Sequence, residues 1–159
     1  MTTTTHMLQE KLGKALGHTL RKIVGSMHRL GTEGRSDAPL CLWLFFETLP
    51  VFRLTGTPEG WGMQIDNTLP EPVDLGESGE IILCDISRSS IFGQGIGHAL
   101  RAVWSVHSPP QGEMIGVRFD FGQSVKPLIL NWGDELYVAE HYPADAREDE
   151  IQEVPLTPL

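Results

Sequence analysis

Two short segments, about eighty residues apart, carry the residue types in this chain that are best suited to chemistry. The first is Gly17-His18-Thr19-Leu20-Arg21 and the second is Gly97-His98-Ala99-Leu100-Arg101. A histidine close to an arginine can bind an anion or transfer a proton. The alternative is a repeated turn and strand start, with glycine in the turn, leucine in the core and arginine facing solvent. His18/Arg21 and His98/Arg101 are therefore kept as an alternative ligand-binding or enzymatic set, and no catalytic residue is predicted.

Metal and cofactor signatures are missing from the sequence. His18 and His28 are too far apart to form a local ligand pair, and no His-x-His or mixed Cys/His cluster occurs. Cys41 and Cys84 stand in apolar, strand-like runs without Cys-x-x-Cys spacing, which predicts buried reduced thiols. The glycine-rich segment 93–97 lacks the strand and helix that a dinucleotide-binding loop requires. We predict no metal and no cofactor.

The segment 131–137, Asn-Trp-Gly-Asp-Glu-Leu-Tyr, predicts a hairpin turn that exposes carboxylates beside aromatic side chains. Aromatic anchors surrounded by charge are typical of protein interfaces. A second acidic run, 148–150, either extends this surface or is a solvated tail. The predicted partner-binding residues are Trp132, Asp134, Glu135, Tyr137, Glu148, Asp149 and Glu150.

Charge is distributed unevenly along the chain, whose formal net charge is −9. Residues 1–53 contain seven Lys/Arg and four Asp/Glu, whereas residues 54–159 contain five Lys/Arg and seventeen Asp/Glu. An acidic surface repels phosphate backbones and attracts basic proteins. The sequence therefore disfavours nucleic-acid binding and favours a basic protein partner.

The similarity between the Gly-His segments continues into a longer internal repeat, which spans residues 17–66 and 97–140. Trp61-Gly62 in the first copy corresponds to Trp132-Gly133 in the second. A repeat this long indicates a duplicated supersecondary unit. We expect two β-meander repeats related by a pseudo-twofold axis, closing into a sandwich or an open barrel.

The elements that must position these residues are mostly short strands. Leucines at four-residue spacing predict one N-terminal helix over residues 7–16. From Thr19 onward, β-branched and aromatic residues alternate with turn residues, which indicates a mainly β protein of the α+β class. Strands are predicted near residues 19–29, 40–47, 50–56, 61–66, 79–86, 98–107, 113–121, 125–131 and 134–140.

The length of 159 residues suits a single domain, residues 1–159. A turn-rich linker is predicted at 67–79, and an acidic C-terminal tail at 144–159 forms either a helical turn or an extended strap. No apolar run reaches the roughly eighteen residues of a membrane span, and residues 1–6 lack the features of a secretion signal. We expect a cytoplasmic protein that does not bind a membrane.

The hairpin Leu-Asn-Trp-Gly-Asp-Glu-Leu-Tyr-Val, together with the chain's size, acidity and short strands, resembles small acidic immunity proteins of bacterial polymorphic-toxin and interbacterial competition systems. The resemblance covers mainly residues 97–138. It implies a non-enzymatic inhibitor that binds a cognate basic toxin, such as a nuclease, and blocks its active site. Two alternatives remain, namely the ligand-binding or enzymatic domain and a structural or adaptor subunit. The sequence leaves open whether the chain is a monomer or a homodimer.

Overall fold

The fold is given by a computed structural model of the chain. For Glu148 it describes the backbone alone. The described residues are 10–31, 38–58, 61–88, 91–110, 112–132 and 135–156.

Strands dominate this part of the chain, as the alternation of apolar and polar residues predicts. Residues 10–13 are helical, and three short 3-10 turns occupy Gly76–Ser78, Ile91–Gln94 and Glu148–Glu150. The described residues form eleven strands: β1 (Leu20–Arg29), β2 (Cys41–Phe46), β3 (Phe52–Gly56), β4 (Met63–Asp66), β5 (Val73–Asp74), β6 (Glu80–Asp85), β7 (Ala102–Ser108), β8 (Glu113–Asp120), β9 (Leu128–Trp132), β10 (Glu135–Ala139) and β11 (Gln152–Pro155).

The strands form two antiparallel sheets of closely related topology. The first has the order β4-β3-β2-β1-β6-β5 and the second the order β10-β9-β8-β7-β11. Each sheet contains a four-stranded meander, β1 to β4 or β7 to β10, and each meander is extended on its far side by a later strand, β6 or β11. The predicted fold class, mainly β with two meanders and one short helix, is confirmed.

The two Gly-His segments meet where the sheets join. The amide of Gly17 donates to the carbonyl of Leu100 at 2.8 Å, and the amide of Gly97 donates to the carbonyl of Leu20 at 2.8 Å. A second reciprocal pair links Leu20 N to His98 O at 3.0 Å and Leu100 N to His18 O at 2.9 Å. Both glycines have positive φ, 86° and 84°, a conformation that glycine adopts without steric cost. The repeated motif thus builds a symmetric junction between the meanders.

One hydrophobic core is shared by the two sheets, which places them as the layers of a sandwich. Phe92 of a 3-10 turn contacts Phe119 and Phe121, with ring centroids 5.7 and 6.4 Å away. The largest fully buried side chains come from both halves and from the N-terminal helical turn: Phe92, Phe119, Phe121, Leu12, Leu20, Ile23, Leu42, Leu44, Leu54, Met63 and Leu100.

Several local predictions need correction. The strand predicted from residue 98 begins only at Ala102, because the preceding residues form the junction and turns. The helix ends at residue 13 within the described range, so its predicted last turn is not helical. Cys41 and Cys84 are half-buried rather than buried.

Two strands occupy segments that were predicted to be linker and tail. β5 lies within 67–79 and pairs with β6, while β11 lies within 144–159 and pairs with β7. The tail therefore contains both a 3-10 turn and an extended strand. In the described part of the chain, no helix has the length and apolar character needed to cross a bilayer.

Candidate functional site

Two hairpins, one from each sheet, meet at a pair of tryptophans. Trp61 precedes β4 and Trp132 ends β9, and their rings contact edge to face with centroids 6.0 Å apart. Trp61 is 46% exposed and Trp132 is half-buried. The sequence prediction named Trp132 as a binding residue but not Trp61. The internal repeat, in which Trp61 corresponds to Trp132, is the sequence signal that indicates equivalent positions for the two tryptophans.

A buried amide fixes the two hairpins against each other. The Asn131 side chain, only 4% exposed, donates through Nδ2 to the carbonyl of Gly62 at 2.8 Å. The same carbonyl accepts from the amide of Thr57 at 2.9 Å, which closes the β3–β4 hairpin. Gly56 lies directly beside the Asn131 amide and leaves no room for a larger side chain. This arrangement holds Trp61 and Trp132 in a defined position.

Carboxylates flank the tryptophan pair. The Oε2 atom of Glu113 lies 3.0 Å from the place that a Cβ on Gly62 would occupy, and Glu113 is exposed. Glu135 is directly opposite Trp132 in the β9–β10 pairing and is also exposed. The predicted residue Asp134 lies outside the described residues. We refer to Trp61, Trp132, Glu113 and Glu135 as the tryptophan–carboxylate site.

Tyr137 lies on the same face of the second sheet as Trp132 and Glu135, and its ring packs with Trp132 against one apolar cluster. The hydroxyl of Tyr137 donates to the carbonyl of His141 at 2.6 Å. Asp149 and Glu150 approach Arg147 at 3.4 and 3.5 Å, just before β11. The side chain of Glu148 lies outside the described residues. β10 and β11 are the two opposite edges of the second sheet, and Ile151, which follows the tail carboxylates, packs against the same apolar cluster as Trp132 and Tyr137.

Sequence reasoning missed a polar cluster on the outer face of the second sheet. Arg118 of β8 donates from Nε to Glu153 Oε1 at 2.6 Å and from one terminal nitrogen to the carbonyls of Lys126 and Glu140, both at 2.9 Å. The hydroxyl of Tyr142 donates to Glu153 Oε1 at 2.6 Å, and Arg118 lies over the Tyr142 ring. Arg118 thereby binds two segments to the sheet, namely the chain that follows β10 and the strand β11. No local motif marks it, because its partners come from distant segments.

The charges of this cluster shift the protonation equilibria of its members. Burial raises the pKa of Tyr142, and the neighbouring Glu153 carboxylate raises it further. Burial lowers the pKa of Arg118, but the hydrogen bond and the charge of Glu153, together with the contribution of Tyr142, jointly outweigh burial and raise this pKa. Beside the cluster is a cleft of about 480 Å³, in which Lys126 lies over the Trp104 ring. The cleft carries both signs of charge, since Glu140 and Glu153 also line it.

The two histidines of the alternative hypothesis each contact a loop of their own half. His18 Nδ1 lies 3.2 Å from the carbonyl of Glu47, whereas His98 Nδ1 lies 3.3 Å from the side-chain nitrogen of Gln123. Arg21 forms a 2.9 Å ion pair with Glu47. Among the described residues, no group of three or more His, Cys, Asp or Glu side chains is arranged to hold a metal ion.

Comparison of the chain with family models, with curated proteins and with solved structures gave no match. The assignment of a function therefore depends on the geometry and charge of this chain alone.

Proposed function

We propose that this chain is a non-enzymatic binding protein, an immunity or antitoxin-like inhibitor that neutralises a cognate basic toxin in the cytoplasm. The observation that carries the proposal is the tryptophan–carboxylate site, in which the exposed Trp61 packs edge to face on the half-buried Trp132 and carboxylates flank the pair. Aromatic side chains at the centre of an interface contribute much of its binding energy.

Rigidity of the site supports binding without rearrangement. Trp61 and Trp132 belong to different sheets, and the buried Asn131 fixes one hairpin relative to the other. A surface that is already ordered loses little conformational entropy when a partner docks. The site therefore suits tight and rapid capture.

Charge supports a basic partner. Seventeen Asp/Glu and five Lys/Arg occur in residues 54–159, so the region that contains the site is strongly acidic. Complementary charge accelerates diffusional encounter and selects the correct partner. A basic nuclease is one such partner, because an acidic surface imitates its nucleic-acid substrate.

The test is co-expression with the product of the adjacent gene, read out as growth and as a purified complex. We expect the chain to relieve toxicity and to co-elute with that product. Trp61→Ala should weaken the complex by roughly 100-fold, the usual effect of truncating a central aromatic anchor. An adjacent product that is harmless and does not bind would count against the proposal.

A matched pair of charge reversals separates the site from general electrostatics. Glu135→Lys at the site should weaken the complex strongly. Glu10→Lys, an exposed position in the less acidic first half, changes the net charge equally and should have little effect. Equal loss in both variants would mean that net charge, not this site, determines binding.

A further inference from the structure

A second exposed surface lies at the outer edge of the first sheet. β5 is the edge strand of that sheet and pairs only with β6. Every residue of the segment 71–78 is exposed, and the segment carries the carboxylates of Glu71, Asp74 and Glu77. Along an antiparallel strand, the backbone N–H and C=O groups of successive residues point alternately to the two sides of the strand. Part of the β5 backbone therefore faces away from β6.

Apolar side chains interrupt these carboxylates. Val73 and Leu75 are 43% and 40% exposed, and Leu69, just before the segment, is 69% exposed. Leu30, directly after β1, lies near this edge, because Gly79 contacts the Leu30 backbone while the Gly79 carbonyl accepts the amide of Leu75 at 2.9 Å. Four of the six large apolar side chains that are exposed in the described residues therefore lie on this edge or near it.

The other three sheet edges are less accessible to a new strand. β4 lies against β8, and β10 lies against β3, so both edges face the opposite sheet. β11 contains Pro155, which has no amide hydrogen to donate, and its Glu153 is bound by Arg118. Residues 73–75 contain no proline and are exposed, and the amide of Asp74 faces away from β6, whereas Pro72, just before β5, has no amide hydrogen to donate.

We propose that the β5 edge, with Leu30, Val73, Leu75 and the carboxylates of 71–77, binds an extended segment of a basic protein by strand addition. An added strand pairs with the free backbone groups, and its side chains alternate between neighbours on the sheet. A partner strand that alternates lysine or arginine with apolar residues matches both features of the edge. This inference rests on the proposed function for the basic character of the partner. It assigns the contact to the β5 edge instead of the tryptophan–carboxylate site.

Charge excludes a second copy of this chain as the occupant. Two β5 edges paired with each other would bring like carboxylates together, which destabilises a strand pair. Charged edge strands also protect proteins from uncontrolled pairing. The carboxylates that prevent self-association are the same groups that attract a basic strand.

The test uses the full chain labelled with ¹⁵N and a short synthetic peptide that alternates lysine and valine. We expect the amide signals of Val73, Asp74 and Leu75 to shift, and hydrogen exchange to slow at the amide of Asp74, which faces away from β6. A peptide of the same charge, methylated at every second backbone nitrogen so that one edge has no donors, should bind at least about tenfold more weakly. The combined variant Glu71→Lys, Asp74→Lys and Glu77→Lys should lose the response by a similar factor.

The outcomes are decisive and separable. Equal binding of the methylated peptide would reduce the effect to general electrostatics and overturn strand addition. Shifts confined to Trp61 and Trp132 would also overturn it, but they would leave the proposed function intact. If neither peptide binds, the inference is overturned as well. Failure of the proposed function is recognised separately, by the co-expression experiment.

Discussion

Arg118 shows how one residue can connect segments that are far apart in sequence. It contacts Lys126, Glu140 and Glu153, which belong to a loop, to the end of a hairpin and to the last strand. Its side chain is 14% exposed. Removing one member of such a pair costs more than breaking a surface pair, because the other charge is left in a less solvated position without its partner.

Arg118→Ala should lower the free energy of unfolding by about 2–3 kcal/mol, since it removes the donor of two carbonyls and the charged partner of Glu153. Arg147→Ala is the matched control. Arg147 also pairs with two carboxylates, but it is 69% exposed, and its loss should cost about 0.5 kcal/mol or less. Urea unfolding of both variants measures the difference, and equal losses would contradict this role for Arg118.

His107 predicts a pH dependence of stability. Burial lowers its pKa below the ordinary value of 6.5, and its Nε2 is 2.9 Å from the hydroxyl of Ser105. The unfolded chain therefore binds this proton more readily than the folded chain, and stability falls as the pH drops below about 6.5. Unfolding measured between about pH 7 and pH 5 should show this decrease, and His107→Gln should reduce its slope.

The titration of Asp85 occurs at lower pH than that of His107, so the two effects on stability can be separated. Hydrogen bonds from the side chain and backbone of Ser87 lower the pKa of Asp85 below its ordinary value of 3.8. The stabilisation from this carboxylate is fully present above that value and is lost only at lower pH. An unchanged slope between about pH 7 and pH 5 in His107→Gln would contradict the assignment to His107.

At the level of elements, the close fit of the two hairpins depends on Gly56 and Asn131. A Cβ on Gly56 would lie 2.9 Å from Asn131 Nδ2 and 3.0 Å from its Oδ1. Gly56→Ala should therefore destabilise by about 1–3 kcal/mol, because one of the hairpins must shift. In an Asn131→Ala background the same change should cost at least about 1 kcal/mol less, since the obstructing amide is gone.

The double-mutant cycle needs a control glycine, at which an added Cβ would have enough space. A Cβ on Gly93 would meet its nearest atoms at 3.4 Å, which is ordinary contact. Gly93→Ala should show no coupling to Asn131→Ala. Additive effects for Gly56→Ala and Asn131→Ala in urea unfolding would contradict the proposed contact.

The strands that the sequence predicted are those with a regular pattern and a buried face. β8 alternates in sequence and in burial around Val117 and Phe119, so its period identified it. β5 and β11 were missed because all their residues are exposed, and no apolar period distinguishes them from a loop. Their pairing depends on the strands beside them, which a local pattern does not reveal.

The candidate site was predictable in part for a similar reason. Trp132 and Glu135 lie within one recognisable hairpin sequence. Trp61 and Glu113 reach the same place through the packing of separate elements. The acidic tail, predicted either to extend this surface or to be solvated, leads into the strand at the opposite edge of the sheet.

For the whole molecule, the shared core predicts that the two halves unfold together. Leu44 from the first sheet and Phe119 from the second belong to one buried cluster. Calorimetry should show a single transition whose calorimetric and van't Hoff enthalpies agree. Leu44→Ala and Phe119→Ala should each lower the midpoint of that same transition. Two separate transitions, each responding to one variant, would contradict the prediction that residues 1–159 form a single domain.

The reciprocal hydrogen bonds of Gly17 and Gly97 form a contact that two separate halves could also make. Each segment supplies both the amide and the carbonyl groups that its counterpart requires. A polypeptide with only one such half would present a self-complementary surface, and two molecules of it would associate in an isologous pair. The two glycine segments of this chain make within one molecule the contacts that such a pair would make between two.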